Sequence, residues 1–573
     1  MIESARHLKM GLALAWVGAM AVGGVAIDFG SQFLATFDGN SPFWRTCLLE
    51  GVLVAMGAGP LAAASSAWLT RGVEQAMGFG ISSGRAMAWS LAGATVAPWL
   101  IGGWMMPSFG ERGAWIGALL LAVALGLALV LTRERNRRLR MAWGAGVLAL
   151  AGLASALGFD RSPTPPGVQR IRRIPGMADT VEVWRWPDRS RTLSVNRRMT
   201  MGGTATASVA ARQAHLPLLL HPKPGSALFL GVGTGITLAG AGAHRGLDAV
   251  GVELVPEVVQ VLRDFRPENE MGPGIRVATG DARRYLRASE AKYDVIIGDL
   301  FHPERDGAAW LYTEEHFRAM RDRLASGGVA CQWLPWFQLD ERSRGLVVAA
   351  WLKVFPESDA WLLRWTSLDT PVVGLVHGGK RWSPSDWGKR VPNRGSLQEA
   401  LRRCGYTDGW QLWGCWVGQA SSLPRAMDGE NTDDRPAVLW SAAKGAAIAR
   451  ADASKGLLAW LGTASDQKPP WFESSKADGE RWDKFRKARD LYLQGLAAAI
   501  GGDDDAALAF IWRSVVASTD FPSAYSYLLE TAQARGAESP AEGRAILERL
   551  ARERSDIPVG RELLERMKPK PQP

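Results

Sequence analysis

Cysteine is scarce, with four in 573 residues at Cys47, Cys331, Cys404 and Cys415. No pair has the close spacing of a zinc ligand set or a thioredoxin-type motif, so the sequence offers no cysteine-built metal or redox centre, and no metal is expected. Cys47 and Cys331 sit in apolar runs and read as core residues; Cys404 and Cys415 read as free thiols rather than a pair. Nothing requires an oxidising compartment. Acid is also in deficit: 57 Asp and Glu stand against 67 Lys and Arg, a net charge of +10. Such a balance can signal nucleic acid. Here, however, Arg133, Arg135, Arg137, Arg138 and Arg140, then Arg170, Arg172 and Arg173, cluster beside apolar stretches, a placement that suits a membrane surface better than a groove for DNA.

Long apolar runs are plentiful. Residues 1–160 carry five: Leu12–Ile27, Leu48–Leu69, Ala86–Met106, Ala114–Leu131 and Met141–Phe159. Most approach the ~20 residues a spanning helix needs, and small residues such as Gly57-Ala58-Gly59 and Ala92-Gly93-Ala94 suit close helix packing in lipid. A transmembrane bundle is therefore expected, uncleaved at its first stretch. Arg6, Lys9 and the Arg133–Arg140 loop point to the cytoplasm, and Met141–Phe159, short and glycine-rich, is read as re-entrant or interfacial so that the remainder faces inward. Reporter fusions near Pro165 test that orientation.

After this region, Asp160–Pro175 reads as an extended Pro/Arg-rich linker. Thr180–Trp186 and Thr192–Asn196 flank a turn cluster and predict a β-hairpin. A helix is expected over Ala205–Leu220. From Ser226 to His377 strands and helices alternate, with strands expected at 227–230, 248–253, 275–278, 293–298, 328–333, 360–365 and 371–376. That rhythm predicts a mostly parallel sheet with ligands at the C-terminal strand ends. Residues 379–470, rich in Trp, Gly and Pro, carry no readable function, and Asn431–Pro436 reads as a cap or turn. Helices at Ala488–Ile500, Asp503–Ser518, Ser523–Arg535 and Ala541–Glu553, with Pro522 and Pro558 at similar turns, resemble tetratricopeptide-type (TPR-like) repeats, which bind protein partners, or else a plain helical bundle packed on the enzyme.

The organising stretch is Ser226–Gly235, SALFLGVGTG: an apolar strand, then a loop with Gly231, Gly233 and Gly235, then a helix start. Glycines there let the backbone approach a ligand. Asp248–Glu253 follows as a second strand ending in a carboxylate about 20 residues beyond the loop, the spacing of a ribose-binding acid. Asp281, before Ala282, follows the third strand, and Asp299 ends the fourth. Parallel topology gathers all three over the glycine loop. Glu253 suits a ribose diol, Asp281 an adenine amino group, and Asp299 the reacting atoms; helix caps and surface charges are the competing uses.

Leu193–Pro335 resembles the spermidine synthase (polyamine aminopropyltransferase) family, more narrowly its bacterial membrane-fused branch. The segments that carry the resemblance are LSVN (193–196), HLPLLLHPKP (215–224), LFLGVGTG (228–235), VGVELVPEVV (250–259), GDARRYL (280–286), YDVIIGD (293–299), LYTEEHF (311–317) and CQWLPWFQL (331–339), with NTDDRP (431–436) like a stretch found late in that branch. The resemblance implies a Rossmann-like sheet of the class I methyltransferase type, decarboxylated S-adenosylmethionine as donor, an amine acceptor, Asp299 as proton acceptor, and a homodimer. Gly231, Gly233, Gly235, Glu253, Asp281 and Ala282 would hold the donor; His302, Tyr312 and Trp333 would line the acceptor side. Four departures stand out. His302 occupies the place of a second amine-gripping Asp. Asn196-Arg197 with Thr200 replaces an Asp-Gly and Gln motif. Val209 and Ala211 replace Tyr and Glu, and Val255 replaces an acid.

The architecture expected is thus a transmembrane bundle (1–160), a linker and hairpin (161–200), a Rossmann-like catalytic domain (201–378), an accessory region (379–470) and TPR-like repeats (471–573), in a bacterial inner membrane. The leading function is aminopropyl transfer. Two others remain: methyl transfer from S-adenosylmethionine, and a non-catalytic scaffold or sensor.

Overall fold

The computed structural model describes residues 166–566, with breaks at 178, 197–198, 304–306, 369, 380–381, 427–428, 465 and 473–475, together with Trp99–Met105 and isolated positions between 88 and 145. The chain divides into two compact units, Met1–Gly202 and Gly203–Pro573.

The first unit corrects the expected transmembrane bundle. Among the described residues no helix is long and apolar enough to cross a membrane. Of the five apolar stretches, only Trp99–Met105 is described as an element, a seven-residue π-helix inside Ala86–Met106. Apart from isolated positions, the rest of these stretches lies outside the described residues.

The unit does contain a four-stranded sheet ordered β1-β2-β3-β4: β1 (Gln169–Pro175), β2 (Thr180–Arg185), β3 (Arg191–Val195) and β4 (Met199–Gly203). The predicted hairpin is β2–β3, antiparallel and in register from Val181–Val195 to Arg185–Arg191. The supposed linker adds β1. Its arginines are not all solvated, because fully buried Glu182 on β2 pairs with Arg170 at 3.1 Å and Arg173 at 3.5 Å. At the end of β3, Asn196 takes a left-handed backbone (φ 53°), and its side-chain oxygen accepts from Thr180 N at 2.7 Å.

The second unit is built on an eight-stranded sheet ordered β12-β10-β11-β9-β8-β5-β6-β7. Its strands are β5 (Ser226–Leu230), β6 (Asp248–Glu253), β7 (Ile275–Thr279), β8 (Tyr293–Gly298), β9 (Leu324–Pro335), β10 (Ser358–Leu362), β11 (Val372–His377) and β12 (Trp416–Gln419). β7, β6, β5, β8 and β9 run parallel; β11, β10 and β12 follow as antiparallel neighbours. The central strands are short continuous apolar runs because both faces are covered. Ala227, Leu228, Leu230, Val295, Ile296 and Ile297 are fully buried. The connecting helices are α1 (Ala207–Leu220), α2 (Ile236–Ala241), α3 (Pro256–Val261), α4 (Ala282–Ala288), α5 (Glu314–Arg323) and α6 (Glu341–Val354). Chain order reverses around β5, whose neighbours are β6 and β8, and at such a reversal an open sheet leaves a crevice beyond its C-terminal strand ends.

The region without readable function is structural. It supplies edge strand β12 and the long Ala437–Thr463 helix, which carries Lys444, Arg450, Asp452 and Lys455 in its sequence. Five helices follow between Lys476 and Arg566. The first is bolted to the sheet edge: buried Arg489 donates to the Gly414 and Trp416 carbonyls at 2.9 and 2.7 Å, and Trp416 packs edge-on against Trp482. Trp365 Nε1 donates to Ser523 Oγ at 3.0 Å, tying in the third. This is the behaviour of a bundle docked on the sheet domain through aromatic residues.

Candidate active site

β5 ends at Leu230 and the chain turns at once. Gly231 N donates to Val252 O at 2.9 Å, keeping the loop in line with β6. Gly231 has φ 91°, and a Cβ there would stand 3.1 Å from the Phe301 ring and 3.4 Å from Asp299 Cβ. The backbone of the first loop and the acid after β8 therefore touch, and only glycine fits between them. Gly233 (φ 54°) also has a left-handed backbone; Gly235 (φ 78°) caps α2.

Glu253, at the end of β6, is 3 % exposed. Its Oε2 accepts from Val232 N at 3.2 Å and Gly233 N at 3.0 Å, and its Oε1 from Val255 N at 3.0 Å. The carboxylate thus shapes the glycine loop. Three of its roughly four acceptor sites are thereby filled, and one on Oε1 remains for a hydroxyl. Asp281, directly after β7, is the N-cap of α4, its Oδ1 accepting from Arg283 N at 2.8 Å and Arg284 N at 3.4 Å. The side chain is 43 % exposed. Its capping use is therefore realised, and its Oδ2 lies 4.0 Å from Arg284 Nε. Ala282, buried, opens α4.

Asp299 follows β8. Its backbone N donates to Leu230 O at 3.1 Å. Its Oδ1 accepts from Leu300 N at 2.8 Å and from Gln213 Nε2 at 2.9 Å. Among the described residues these bonds fall on one oxygen, leaving Oδ2 to take a proton. Burial of the carboxyl pushes its pKa up to about 7; the Leu300 and Gln213 hydrogen bonds oppose the rise, and the Glu253 charge adds to it. The residue as a whole is half-buried. An acid poised near neutrality at the end of a strand in a crevice suits general base work.

Glu253, Asp281 and Asp299 thus lie at one edge, on the C-terminal ends of β6, β7 and β8, around the loop after β5. The acceptor-side expectations fare differently. His302 is half-buried, its Nδ1 3.2 Å from Gln338 Nε2, and it stands on the Asp299 loop. Tyr312 is fully buried, its hydroxyl donating to Phe301 O at 3.1 Å and accepting from Phe301 N at 3.3 Å. It braces the Asp299 loop from behind and does not wall a cavity. Trp333 is also fully buried and donates through Nε1 to Gln213 O at 3.1 Å, anchoring α1 beneath the acid.

Sequence reasoning missed two glutamines. Gln213, inside α1, is held in its amide orientation by Thr237 Oγ1, which donates to Oε1 at 3.4 Å, and so offers Nε2 to Asp299. Gln332, fully buried on β9, donates to the carbonyls of Asp299 (3.2 Å) and Trp333 (3.0 Å). Space for its amide comes from Gly298, where a Cβ would meet Gln332 Oε1 at 2.1 Å. The only signal in sequence is a polar residue inside an apolar run in each case. A separate hollow, lined by Arg321, Ser326, Gly327, His377 and Gly378, lies where β9 begins, at the opposite end of the sheet from Asp299.

Residues 209–343 match the family model described as the spermine/spermidine synthase domain. A polyamine aminopropyltransferase of Aeropyrum pernix is 37 % identical over 122 residues, which cover 20 % of this chain and 39 % of that protein. A spermidine synthase of Schizosaccharomyces pombe is 31 % identical over 130 residues, 21 % of this chain and 43 % of its own length. The matches thus span about two fifths of these curated relatives. Among solved structures, a spermidine synthase in complex with the transition state analogue AdoDATO aligns over 41 % of this chain and 85 % of its own, at 21 % identity and a TM-score of 0.36. The spermidine synthase of Thermotoga maritima aligns over 39 % of this chain and 79 % of its own, at 22 % identity and a TM-score of 0.34.

Proposed function

We propose that this chain, whose residues 209–343 match the spermine/spermidine synthase domain model, transfers an aminopropyl group from decarboxylated S-adenosylmethionine to an amine. The observation that carries the reading is Asp299: a carboxyl with a pKa near 7, one oxygen pinned by Gln213 and Leu300, in contact with the glycine loop.

The donor fits the rim by its chemistry. Glu253 accepts from a ribose hydroxyl through the remaining site on Oε1, Asp281 accepts from the adenine amino group, and the sulfonium end comes beside Asp299. The donor supplies a carbon made electrophilic by the adjacent sulfonium. Asp299 Oδ2 takes the proton of the acceptor's ammonium group. The freed nitrogen lone pair then forms the new C–N bond as the C–S bond breaks, its electron pair going to sulfur. The reaction needs no other group.

Position 302 bears on the acceptor. The imidazole of His302, 3.2 Å from Gln338 Nε2, carries no permanent negative charge at that position.

The test is incubation with decarboxylated S-adenosylmethionine or S-adenosylmethionine, plus mono- and diamines, following products by mass. Methylthioadenosine formed with the decarboxylated donor and an amine supports the reading. Methylated product from S-adenosylmethionine alone overturns it in favour of methyl transfer, and turnover with neither donor overturns the enzymatic reading.

A further inference from the structure

The segment Asn431-Thr432-Asp433-Asp434-Arg435-Pro436 lies well beyond the matched domain, and the chemistry above gives it no work. Asn431 nevertheless has no solvent exposure, and all its polar groups are engaged. Its Nδ2 donates to the Ala309 and Tyr312 carbonyls, both at 3.1 Å. Its Oδ1 accepts from Val438 N at 3.2 Å, its backbone O from Glu314 N at 3.0 Å, and its N donates to Leu346 O at 3.4 Å. The Ala308–Tyr312 turn is thus gripped by one amide at two points.

Two residues on, Asp433 accepts from Thr313 Oγ1 at 2.7 Å, from Arg283 Nη2 at 2.8 and 2.6 Å, and from Arg287 Nη2 at 3.1 Å. Thr313 caps α5; Arg283 and Arg287 lie on α4, the helix capped by Asp281. The strap therefore joins the helix after the adenine-side acid to the turn after the reacting acid. From that turn the path is short. Tyr312 holds the Phe301 backbone through its hydroxyl, and the Phe301 ring lies against Gly231 with Asp299 beside it.

We propose that Asn431 is a positioning residue for Asp299, acting through the Ala308–Tyr312 turn and the Tyr312 hydroxyl. The proposal rests on Asp299 being the proton acceptor, but its structural half is measurable without turnover. A catalytic segment matched at 209–343 is thereby completed by an asparagine outside it.

Two variants test this. Asn431→Asp is isosteric and turns the two-carbonyl donor into an acceptor. Tyr312→Phe keeps the ring and removes only the hydroxyl. Hydrogen exchange of the 299–303 segment is expected to quicken by roughly tenfold or more in both, with β5 and β6 unchanged. In the active enzyme, kcat is expected to fall about tenfold to a hundredfold with donor KM steady, and the acid limb of the pH profile to move. Unchanged exchange at 299–303 in folded Tyr312→Phe overturns the proposal, whatever the activity. So does a lowered melting temperature in Asn431→Asp with the pH limb and exchange as in wild type. If Asn431→Asp does not fold, Tyr312→Phe decides alone. Absence of turnover in wild type, with quickened exchange in the variants, refutes the reaction and leaves the coupling standing.

Discussion

At the scale of single residues the account turns on how one carboxyl is kept near neutrality. Desolvation raises Asp299 and the Gln213 amide restrains the rise. Hydrogen bonds to ionised groups contribute about 1.5–3 kcal/mol, and one pKa unit is about 1.4 kcal/mol. Gln213→Leu is therefore expected to move the acid limb of kcat/KM upward by roughly one unit relative to wild type. The acceptor's own ionisation cancels in that comparison. The sign for stability is separate. An acid whose folded pKa is raised from 3.8 to about 7 binds more protons folded than unfolded across that window, so it costs stability as pH rises through it. Asp299→Asn is thus expected to lose roughly a hundredfold or more in activity and yet melt higher than wild type at pH 8.5. Loss of both activity and melting temperature would indicate a structural acid instead. Gln213 was illegible in the sequence because nothing in an apolar helix says which of its polar residues faces a strand end 86 positions away.

At the scale of elements, the central sheet was legible and its borders were not. Strands β5, β6, β7 and β8 fall within a residue of their predicted ends, because a strand buried on both faces must be an unbroken apolar run. β1 was hidden because its arginines mimic a solvated linker, and the partner that pairs two of them, Glu182, is a single acid inside a hydrophobic strand. β12 was hidden because four residues of an edge strand carry too little pattern. The glycine loop was legible as a motif, but its reason is tertiary: Gly231 is fixed by Phe301 and Asp299, not by its neighbours in sequence. Gly231→Ala is expected to cost about 1–3 kcal/mol, because it places a Cβ at positive φ against the Phe301 ring. Thermal melting reads that loss, with donor affinity reduced in parallel. An unchanged melt and affinity would mean the loop relaxes freely and does not define the site.

At the scale of the molecule, the sheet unit hides histidines that ordinary solution chemistry would charge. Burial lowers His215 to about 4, and burial with the Arg283 and Arg287 charges lowers His316 to about 3. His244, Nε2 3.0 Å from His215 Nδ1, is also held well below the usual range by burial and by His215. In each case the unfolded chain binds protons that the folded one does not between the lowered pKa and 6.5, so stability falls as pH drops below 6.5. Melting temperature is expected to decline steeply from pH 6.5 to pH 4.5, and His316→Leu to flatten the decline; an identical slope in that variant would place the acid sensitivity elsewhere. The same scale holds the largest correction. Composition alone made the first 160 residues a transmembrane bundle, yet no described helix is long and apolar enough to cross a membrane. The C-terminal helices, legible as helices, dock on β12 through Arg489 and Trp482, residues whose role no repeat pattern discloses.

The claim beneath all of this is that Glu253, Asp281 and Asp299 bound one adenosyl-shaped site. Titration calorimetry with methylthioadenosine, the nucleoside left after aminopropyl transfer, tests it on the intact chain. Wild type is expected to bind one equivalent, and Glu253→Gln to bind at least tenfold more weakly, since a ribose diol loses an ionised acceptor. Equal affinity in both proteins, or no binding to wild type, would contradict it.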